Sequence, residues 1–507
     1  MKQGFKQMFM RILLAATFLL LFTPHAGADQ INQWRQSHEQ QIVDQFAKLL
    51  SIPNVATDTT NIRKNAAHIS QLMKDAGMSV ELLELEGSNP VIFAEKNTPG
   101  ATKTLMIYIH YDGQPVNPDN WASDPWTPVM RTDMVEKGGK PVPMQAPFDP
   151  DWRIFARSAG DDKAPIIALR SALLAMEASG ISPTVNLKVF MEGEEEAGSP
   201  NLRRMLEAHK DKLTADMWLF CDGPAHQSRR WQLVYGVRGS DGFNLTVYGS
   251  NRPLHSGHYG NWAPNPIVSL TDLISSMRST NGDVLVDGFY QQVQPLSDAE
   301  RAAIAASPQM DKLLASDLGI RTPETDDRIE LAISRPALNL RGIYSGDVGA
   351  KARNVIPPQA SASIGIRLVP AQTPEYLQAV IEKHIEAQGF YIIHDEPTSE
   401  QRRDHNKLAR IDWDTSGGYP AYRAAFDHPL AMQISGILDK LSDRTLIQTP
   451  TMGGSLPLFV VEDVLSVPIL ILPIANHDNN QHGANENLRL QNLWDAIEIY
   501  AAVLSGL

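Results

Sequence analysis

The chain has 507 residues, of which 43% are apolar and 20% charged, and its formal net charge is −13. This length allows two or more domains with substantial cores. An acidic chain argues against a nucleic-acid partner, because phosphate binding requires basic side chains. The single cysteine, Cys221, excludes an intramolecular disulfide and lies in an apolar run, so we expect it to be a buried hydrophobe.

The N-terminal residues have the pattern of a targeting segment. Three basic residues precede the apolar run Ile12–Phe22, which is too short to span a bilayer. Small residues follow, ending at Ala28, as in a signal-peptide cleavage site. We therefore predict a signal peptide over residues 1–28 and a periplasmic or secreted mature protein without a membrane span.

The first half of the chain alternates strand-like and helix-like stretches. Thr104–Ile109, Val185–Met191 and Met217–Cys221 are mostly apolar segments typical of strands, and Ala164–Glu177 is typical of a helix. Strands buried on both faces that alternate with helices predict an α/β sandwich with a mostly parallel sheet. We assign residues 29–239 to the first part of this α/β domain.

The pattern then changes to half-exposed elements. Two segments alternate apolar and polar side chains like antiparallel strands, and two have helical periodicity: Phe243–Val247, Ser361–Arg367, Asn265–Met277 and Glu375–Gln388. They predict a smaller, inserted α+β lid domain over residues 240–416. Apolar runs resume in residues 417–507, which we expect to complete the first sheet.

Several ionisable side chains directly follow predicted strands. His110 and Asp222 do so, as does the acidic run of Glu192 and Glu194–Glu196. Adjacent carboxylates repel and resist burial, so such a run is either a solvated turn or a site for a cation or a catalytic base. Because chemistry collects at the carboxyl ends of parallel strands, the shared position favours a functional site.

A set of five candidate metal ligands follows from these positions: His110, Asp161, one of Glu194–Glu196, Asp222, and either His477 or His482. Two imidazoles with three carboxylates suit a pair of divalent ions, most simply zinc or manganese. Asp112 shares a strand face with His110 and can orient it by accepting its second ring N–H. Each signal is weak alone, since Asp161 could also cap a helix and terminal histidines are commonly exposed.

The chain resembles the M20 family of dinuclear metallopeptidases, nearest to its carnosine-dipeptidase-like and glutamate-carboxypeptidase-like branch. Nine stretches carry the resemblance in family order: Ile109–Val116, Ala156–Lys163, Glu192–Ser199, Leu219–Asp222, Leu254–Gly260, Asn354–Pro357, Ile366–Pro370, Gly453–Ser455 and His482–Glu486. The sequence departs from the family pattern before the bridging Asp, where it reads Ala156-Arg-Ser-Ala-Gly160, and at Ala164, where glycine is usual. Neither departure removes a ligand.

The resemblance implies a role for each ligand. Asp161 would bridge two divalent ions, which would be zinc, with manganese or cobalt as alternatives. His110 and Asp222 would complete the coordination of one ion. Glu196 and His482 would complete the coordination of the other, with His477 as the alternative histidine.

Further roles are implied for the base and the lid. Glu195 falls on the general base, while Glu192 and Glu194 stay unassigned. His255, with His258 as a weaker alternative, matches a lid histidine that reaches the partner's active site in a homodimer and stabilises the oxyanion. Arg367 matches a clamp for the substrate's terminal carboxylate, and Gly454 and Ser455 match a substrate-binding loop.

These expectations predict a dinuclear hydrolase of dipeptides or of the C-terminal residue of short peptides. One alternative is an amidohydrolase acting on N-acyl amino acids, which have no free amino group. An alternative of another class is a non-catalytic peptide-binding protein on a peptidase scaffold. The complete set of ligands and base argues against that second alternative.

Overall fold

The computed structural model describes residues 24–414, 418–442 and 444–507. Most of the predicted signal peptide lies outside these residues. The first helix begins at Pro24 and continues through Ala28 to Leu50. None of the helices in the described ranges is both long and apolar enough to cross a bilayer.

Fifteen α-helices occur in the described chain. In order they are α1 Pro24–Leu50, α2 Thr59–Asp75, α3 Ala164–Ala178, α4 Leu202–Ala208, α5 Lys210–Leu213, α6 Ser256–Tyr259, α7 Pro266–Met277, α8 Asp298–Ala306, α9 Asp311–Asp317, α10 Ile329–Ala332, α11 Pro374–Ala387, α12 Gln401–Asp404, α13 Pro429–Leu441, α14 Leu458–Leu465 and α15 Leu490–Gly506.

Twenty-one strands accompany them within the same residues. They are β1 Ser79–Leu83, β2 Val91–Lys96, β3 Thr104–His110, β4 Val129–Arg131, β5 Pro141–Val142, β6 Arg153–Phe155, β7 Asn186–Glu192, β8 Met217–Phe220, β9 Gln232–Val234, β10 Gly236–Val237, β11 Gly239–Tyr248, β12 Leu254–His255, β13 Ala337–Tyr344, β14 Val355–Ile356, β15 Gln359–Leu368, β16 Tyr391–Ile393, β17 Leu408–Trp413, β18 Tyr422–Arg423, β19 Ile447–Thr449, β20 Ile469–Ile471 and β21 Asn487–Arg489.

The main sheet has eight strands in the order β1-β2-β7-β3-β8-β20-β9-β19. Its central strands β7, β3, β8 and β20 are parallel, whereas β1 and β2 are antiparallel additions at one edge. One face packs on α1, α2, α3, α13 and α15, and the other on α4 and α14. The predicted α/β sandwich with a mostly parallel sheet is confirmed, and its central strands are the apolar runs read from the sequence.

A second sheet of five strands, β13-β15-β11-β17-β16, forms the inserted lid. Helices α7 and α11 cover one face of it, with Leu273 and Ile381 in the shared core. Along β15, buried and half-buried residues alternate, as the sequence pattern predicted. Strand β13 is an edge strand, and six of its eight residues are exposed.

A third sheet, β21-β6-β4-β5, was not predicted from the sequence. Its strands are two or three residues long, too short to produce a readable period. It pairs Leu488 of β21 with Ile154 of β6, which are far apart in the chain. This pairing places the segment after β6 beside the segment before β21, and both segments carry candidate ligands.

Candidate metal centre

Three candidate side chains lie at one edge of the main sheet. His110 is the last residue of β3, Asp222 follows β8 by two residues, and Glu195 begins a short 3-10 turn that follows β7. Strands β7, β3 and β8 are parallel neighbours, so their carboxyl ends meet at this edge. The strand-end position read from the sequence is confirmed for these residues.

The other two candidates come from the segments joined by the small sheet. Asp161 lies between β6 and α3, where a cis peptide bond links it to Asp162. His482 lies between β20 and β21 with a φ of 60°, in the left-handed region. His477, the alternative ligand, is outside both groups of ligand atoms formed in the described chain.

The five side chains form two groups that share Asp161, and the ligand atoms of each group lie within 4.8 Å of one another. In the first, His110 Nε2 is 2.8 Å from Asp161 Oδ1 and 3.7 Å from Asp222 Oδ2. In the second, His482 Nε2 is 3.3 Å from Asp161 Oδ2 and 3.4 Å from Glu196 Oε2. Asp161 therefore turns one carboxylate oxygen toward each group.

The electrostatics of the cluster favour a cation. Burial, then repulsion from Asp161, raises the pKa of Asp222 to about 6 and that of Glu196 to about 7. Burial also raises the pKa of Glu195 well above its usual range. Burial opposes the ionisation of Asp161, but hydrogen bonds with His110 and His482 hold its pKa well below the ordinary value. Buried carboxylates with paired imidazoles have the donor chemistry of divalent-ion sites, so the residues present fit such ions.

Asp112 connects the first histidine to the segment that carries the predicted base. Its Oδ1 is 3.4 Å from His110 Nδ1, and the side chain is fully buried. Its two carboxylate oxygens accept the backbone N–H groups of Glu195 at 3.1 Å and of Glu196 at 3.0 Å. The backbone oxygen of Asp112 is also near His110 Nδ1, at 3.2 Å. Asp112 therefore orients the imidazole through two oxygens, and its carboxylate fixes two consecutive backbone positions.

Glu192 and Glu194, which the sequence left unassigned, are both engaged away from the ligand groups. Tyr108 Oη donates a 2.6 Å hydrogen bond to Glu192, whose pKa burial raises to about 7. Glu194 accepts hydrogen bonds from Asn201 Nδ2 at 2.8 Å and from the backbone N–H of Asn89. Glu194 thereby anchors the turn that presents the next two glutamates.

A cavity of about 740 Å³ opens over the ligand groups and is lined by both the main domain and the lid. Arg367 of β15 lines it together with Gly454 and Ser455, and Arg367 Nη1 donates to Ser455 Oγ at 2.7 Å. His255 is exposed on the lid, with its ring 4.5 Å from that of His258, and is not among the lining residues of its own chain as described.

Two glutamines that sequence reasoning did not single out touch the ligands. Gln481 Nε2 donates to Asp161 Oδ2 at 3.0 Å, and Gln114 Nε2 donates to Glu196 Oε2 at 2.7 Å. Both lie in or beside stretches quoted for the family resemblance. Only their place in or beside those stretches could have singled them out, because glutamine is uncharged and is not a common metal ligand.

Comparison with known proteins supports the same family. Residues 235–390 match the M20 peptidase dimerisation domain. The Cys-Gly metallodipeptidase dug1 of Schizosaccharomyces pombe is 26% identical over 502 residues, covering 94% of this chain and 98% of that protein. The human Beta-Ala-His dipeptidase is 26% identical over 432 residues, covering 82% of this chain and 76% of that protein.

Solved structures share the fold over nearly the whole chain. The dipeptidase Dug1p from Saccharomyces cerevisiae superposes with a TM-score of 0.73 at 23% identity, covering 95% of this chain and 98% of that one. The M20 family metallo-carboxypeptidase Sso-CP2 from Sulfolobus solfataricus has a TM-score of 0.72 at 25% identity, covering 92% of this chain and 98% of that one.

The prediction of a periplasmic or secreted protein is wrong. The Dug1 relatives from yeasts are cytosolic or intracellular enzymes, and they align with more than nine tenths of this chain. The apolar run that suggested a signal peptide lies outside the described residues. Helix α1 passes through Ala28, where cleavage was expected. A short apolar run after basic residues is a compositional signal and does not by itself determine where a protein resides.

The fold, the matched dimerisation domain and the full-length relatives agree with the chemistry of the cluster. The Cys-Gly metallodipeptidases among the relatives align with most of the chain, and its two ligand groups are suited to divalent metal. This chain is a metallopeptidase that is similar to the M20 family over most of its length.

Proposed function

We propose that this enzyme hydrolyses dipeptides with two divalent ions, most simply zinc, held by the two groups that share Asp161. His110 and Asp222 would hold one ion, and Glu196 and His482 the other. The observation that carries the proposal is the placement of Asp161, with one oxygen toward each histidine at 2.8 and 3.3 Å. A carboxylate shared in this way is the usual bridge of a dinuclear site.

When bound, the ions would supply an acidified water and polarise the scissile carbonyl. Glu195 lines the cavity beside both groups and is proposed as the base that takes a proton from the attacking water and returns it to the leaving amine. Asp112 would keep His110 in the tautomer that leaves Nε2 free for metal. It would also hold the backbone of Glu195 so that the base keeps its position.

The substrate end of the cavity has the chemistry of a carboxylate site. Arg367 has no acidic side chain within salt-bridge distance among the described residues, and its guanidinium is held by Ser455 Oγ. We propose that Arg367, with Ser455 and the backbone of Gly454, binds the terminal carboxylate of the substrate. Relatives that act on Cys-Gly and β-Ala-His support a dipeptide as this substrate.

A homodimer through the lid is part of the proposal. The exposed edge strand β13 carries Ile343 and Tyr344, and the lid also exposes Val268 and Trp262, the last to 80%. Large exposed apolar side chains beside an unpaired strand edge are typical of an interface. His255, exposed on the same lid, would then enter the partner's cavity and stabilise the oxyanion.

We divide the chain into catalytic parts 29–239 and 417–507 around a lid of residues 240–416.

The test is hydrolysis of a panel of free dipeptides and N-acyl amino acids by metal-free enzyme to which Zn²⁺ or Mn²⁺ is restored. Metal-dependent cleavage of free dipeptides supports the proposal. Cleavage of acylated substrates alone would make the enzyme an amidohydrolase. No cleavage by enzyme with two bound ions would favour a peptide-binding protein.

A further inference from the structure

Glu486 is a fully buried carboxylate that the proposed chemistry does not use. Its side chain is 0% exposed. Oε1 accepts the backbone N–H groups of Gly160 and Asp161, both at 2.9 Å. Oε2 accepts the backbone N–H of Ser158 at 2.9 Å and Arg157 Nη1 at 2.7 Å. All four donors belong to the segment that ends at the shared ligand.

Glu486 and its partner Arg157 also hold the segment that carries His482. Arg157 Nη2 donates to the backbone oxygen of Gly483 at 3.1 Å, one residue after His482. The backbone oxygen of Glu486 accepts the N–H of Ala156 at 3.2 Å. The Arg157 guanidinium is covered by the Trp121 ring at 5.3 Å, and its side chain is 2% exposed. Arg157 and Glu486 therefore form a closed clasp between residues 156–161 and 482–486.

Packing alone does not fix His482. Its side chain is 60% exposed, and its backbone has a φ of 60°, which a residue with a side chain rarely adopts unaided. Asp161 likewise depends on a segment with no regular secondary structure between β6 and α3. The clasp is a buried connection between these two segments, in addition to the pairing of β21 with β6 and the hydrogen bond from Gln481 to Asp161.

We propose that Arg157 and Glu486 are positioning residues that set the spacing between Asp161 and His482 and so tune the affinity of the second ion. This inference rests on the proposed dinuclear function. The ion held with Glu196 and His482 depends on both clasped segments. The other ion would take two of its ligands, His110 and Asp222, from the carboxyl ends of main-sheet strands. Loss of the clasp therefore weakens the second ion more than the first.

Glu486→Gln tests this in zinc titrations of metal-free protein against a chromophoric chelator. The amide keeps one acceptor oxygen but turns an NH₂ group toward donors, so the clasp opens on one side. We expect one zinc bound as in wild type and the second roughly 10- to 100-fold more weakly, the usual effect of losing an outer hydrogen-bond partner. His482→Ala marks which of the two affinities belongs to the second group.

The matched control is Glu300→Gln, which removes a buried carboxylate of the lid that pairs at 2.9 Å with Arg423 of the second catalytic part. It should leave both zinc affinities unchanged. Should Glu486→Gln fail to fold, Arg157→Lys keeps the charge but loses the bond to Gly483 and should weaken the second zinc selectively. Unchanged zinc affinities, or equal weakening of both, would overturn the proposal.

A metal-independent measurement separates the clasp from the dinuclear function. In metal-free Glu486→Gln protein, amide hydrogen exchange should accelerate in both residues 156–161 and residues 482–486, and in neither for Glu300→Gln. Acceleration confined to one segment would refute the clasp. A wild type that binds fewer than two zinc ions would contradict the proposed function, while the exchange result would still decide the clasp.

Discussion

Replacing Asp112 by Asn should separate the positioning of the base from the supply of ligands. The change keeps shape and all five candidate ligands. One carboxylate oxygen that accepts the N–H of Glu195 or Glu196 becomes an NH₂ group, so a buried donor then faces a donor. Leaving one buried donor unsatisfied costs about 1–3 kcal/mol.

Part of that cost should appear in catalysis, because the backbone of Glu195 moves and His110 loses its charged partner at 3.4 Å. We expect kcat/KM to fall roughly 10- to 100-fold, mainly in kcat, with zinc affinity reduced within the same range. The assay is steady-state hydrolysis of a free dipeptide at saturating zinc, together with chemical denaturation of the metal-free protein.

Asp216→Asn is the matched control. Asp216 Oδ2 accepts the backbone N–H of Thr104 at 2.7 Å, at the opposite end of the strand that carries His110. It should change stability slightly and leave kcat unchanged. An Asp112→Asn enzyme with wild-type kcat and zinc affinity would refute the positioning role, as would an equal loss in both variants.

Three further outcomes are expected. Asp161→Ala should lose both zinc ions together, and retention of two ions in a zinc count would exclude the bridge. Two inactive variants, one altered at His255 and one at Glu195, should recover partial dipeptidase activity when their subunits are exchanged into mixed dimers; no recovery after confirmed exchange would remove His255 from the partner's site. Burial, reinforced by Asp495, raises the pKa of Glu498 to about 7 from 4.5, so folding stability contributed by this group falls as pH rises through that interval. Glu498→Gln should therefore gain about 1–3 kcal/mol in urea denaturation at pH 8 and little at pH 4.5, and an equal gain at both would contradict the assignment.

The main sheet could be predicted because its signal is local. Strands β3, β7 and β8 are mostly apolar segments of four to seven residues, and such segments between helices are typical of buried parallel strands. Their carboxyl ends then place His110, Glu195 and Asp222 at one edge without knowledge of any distant contact. The lid strand β15 was readable for a similar reason, because buried and half-buried residues alternate along it, whereas nearly all of β11 is buried.

The rest depends on contacts between distant parts of the chain. Asp161 and His482 meet because β21 pairs with β6. Each of these strands has three residues, too few for an alternation of apolar and polar residues that would predict a strand. The choice between His477 and His482 rested on family resemblance, because both are histidines in a polar segment. The clasp between Arg157 and Glu486 could not be predicted either, because it joins residues far apart in the chain and a single acidic residue in a sequence does not indicate its own burial.

The central claim is that two zinc ions and the Glu195 carboxylate together carry out dipeptide hydrolysis. The most direct measurement is a paired zinc count and turnover assay on wild type and Glu195→Gln after metal removal and reconstitution. The account predicts two zinc ions per chain in both proteins, turnover in wild type that requires zinc, and a loss in the variant of at least about 100-fold. Near-normal turnover by the variant, or turnover by wild type without metal, would contradict it.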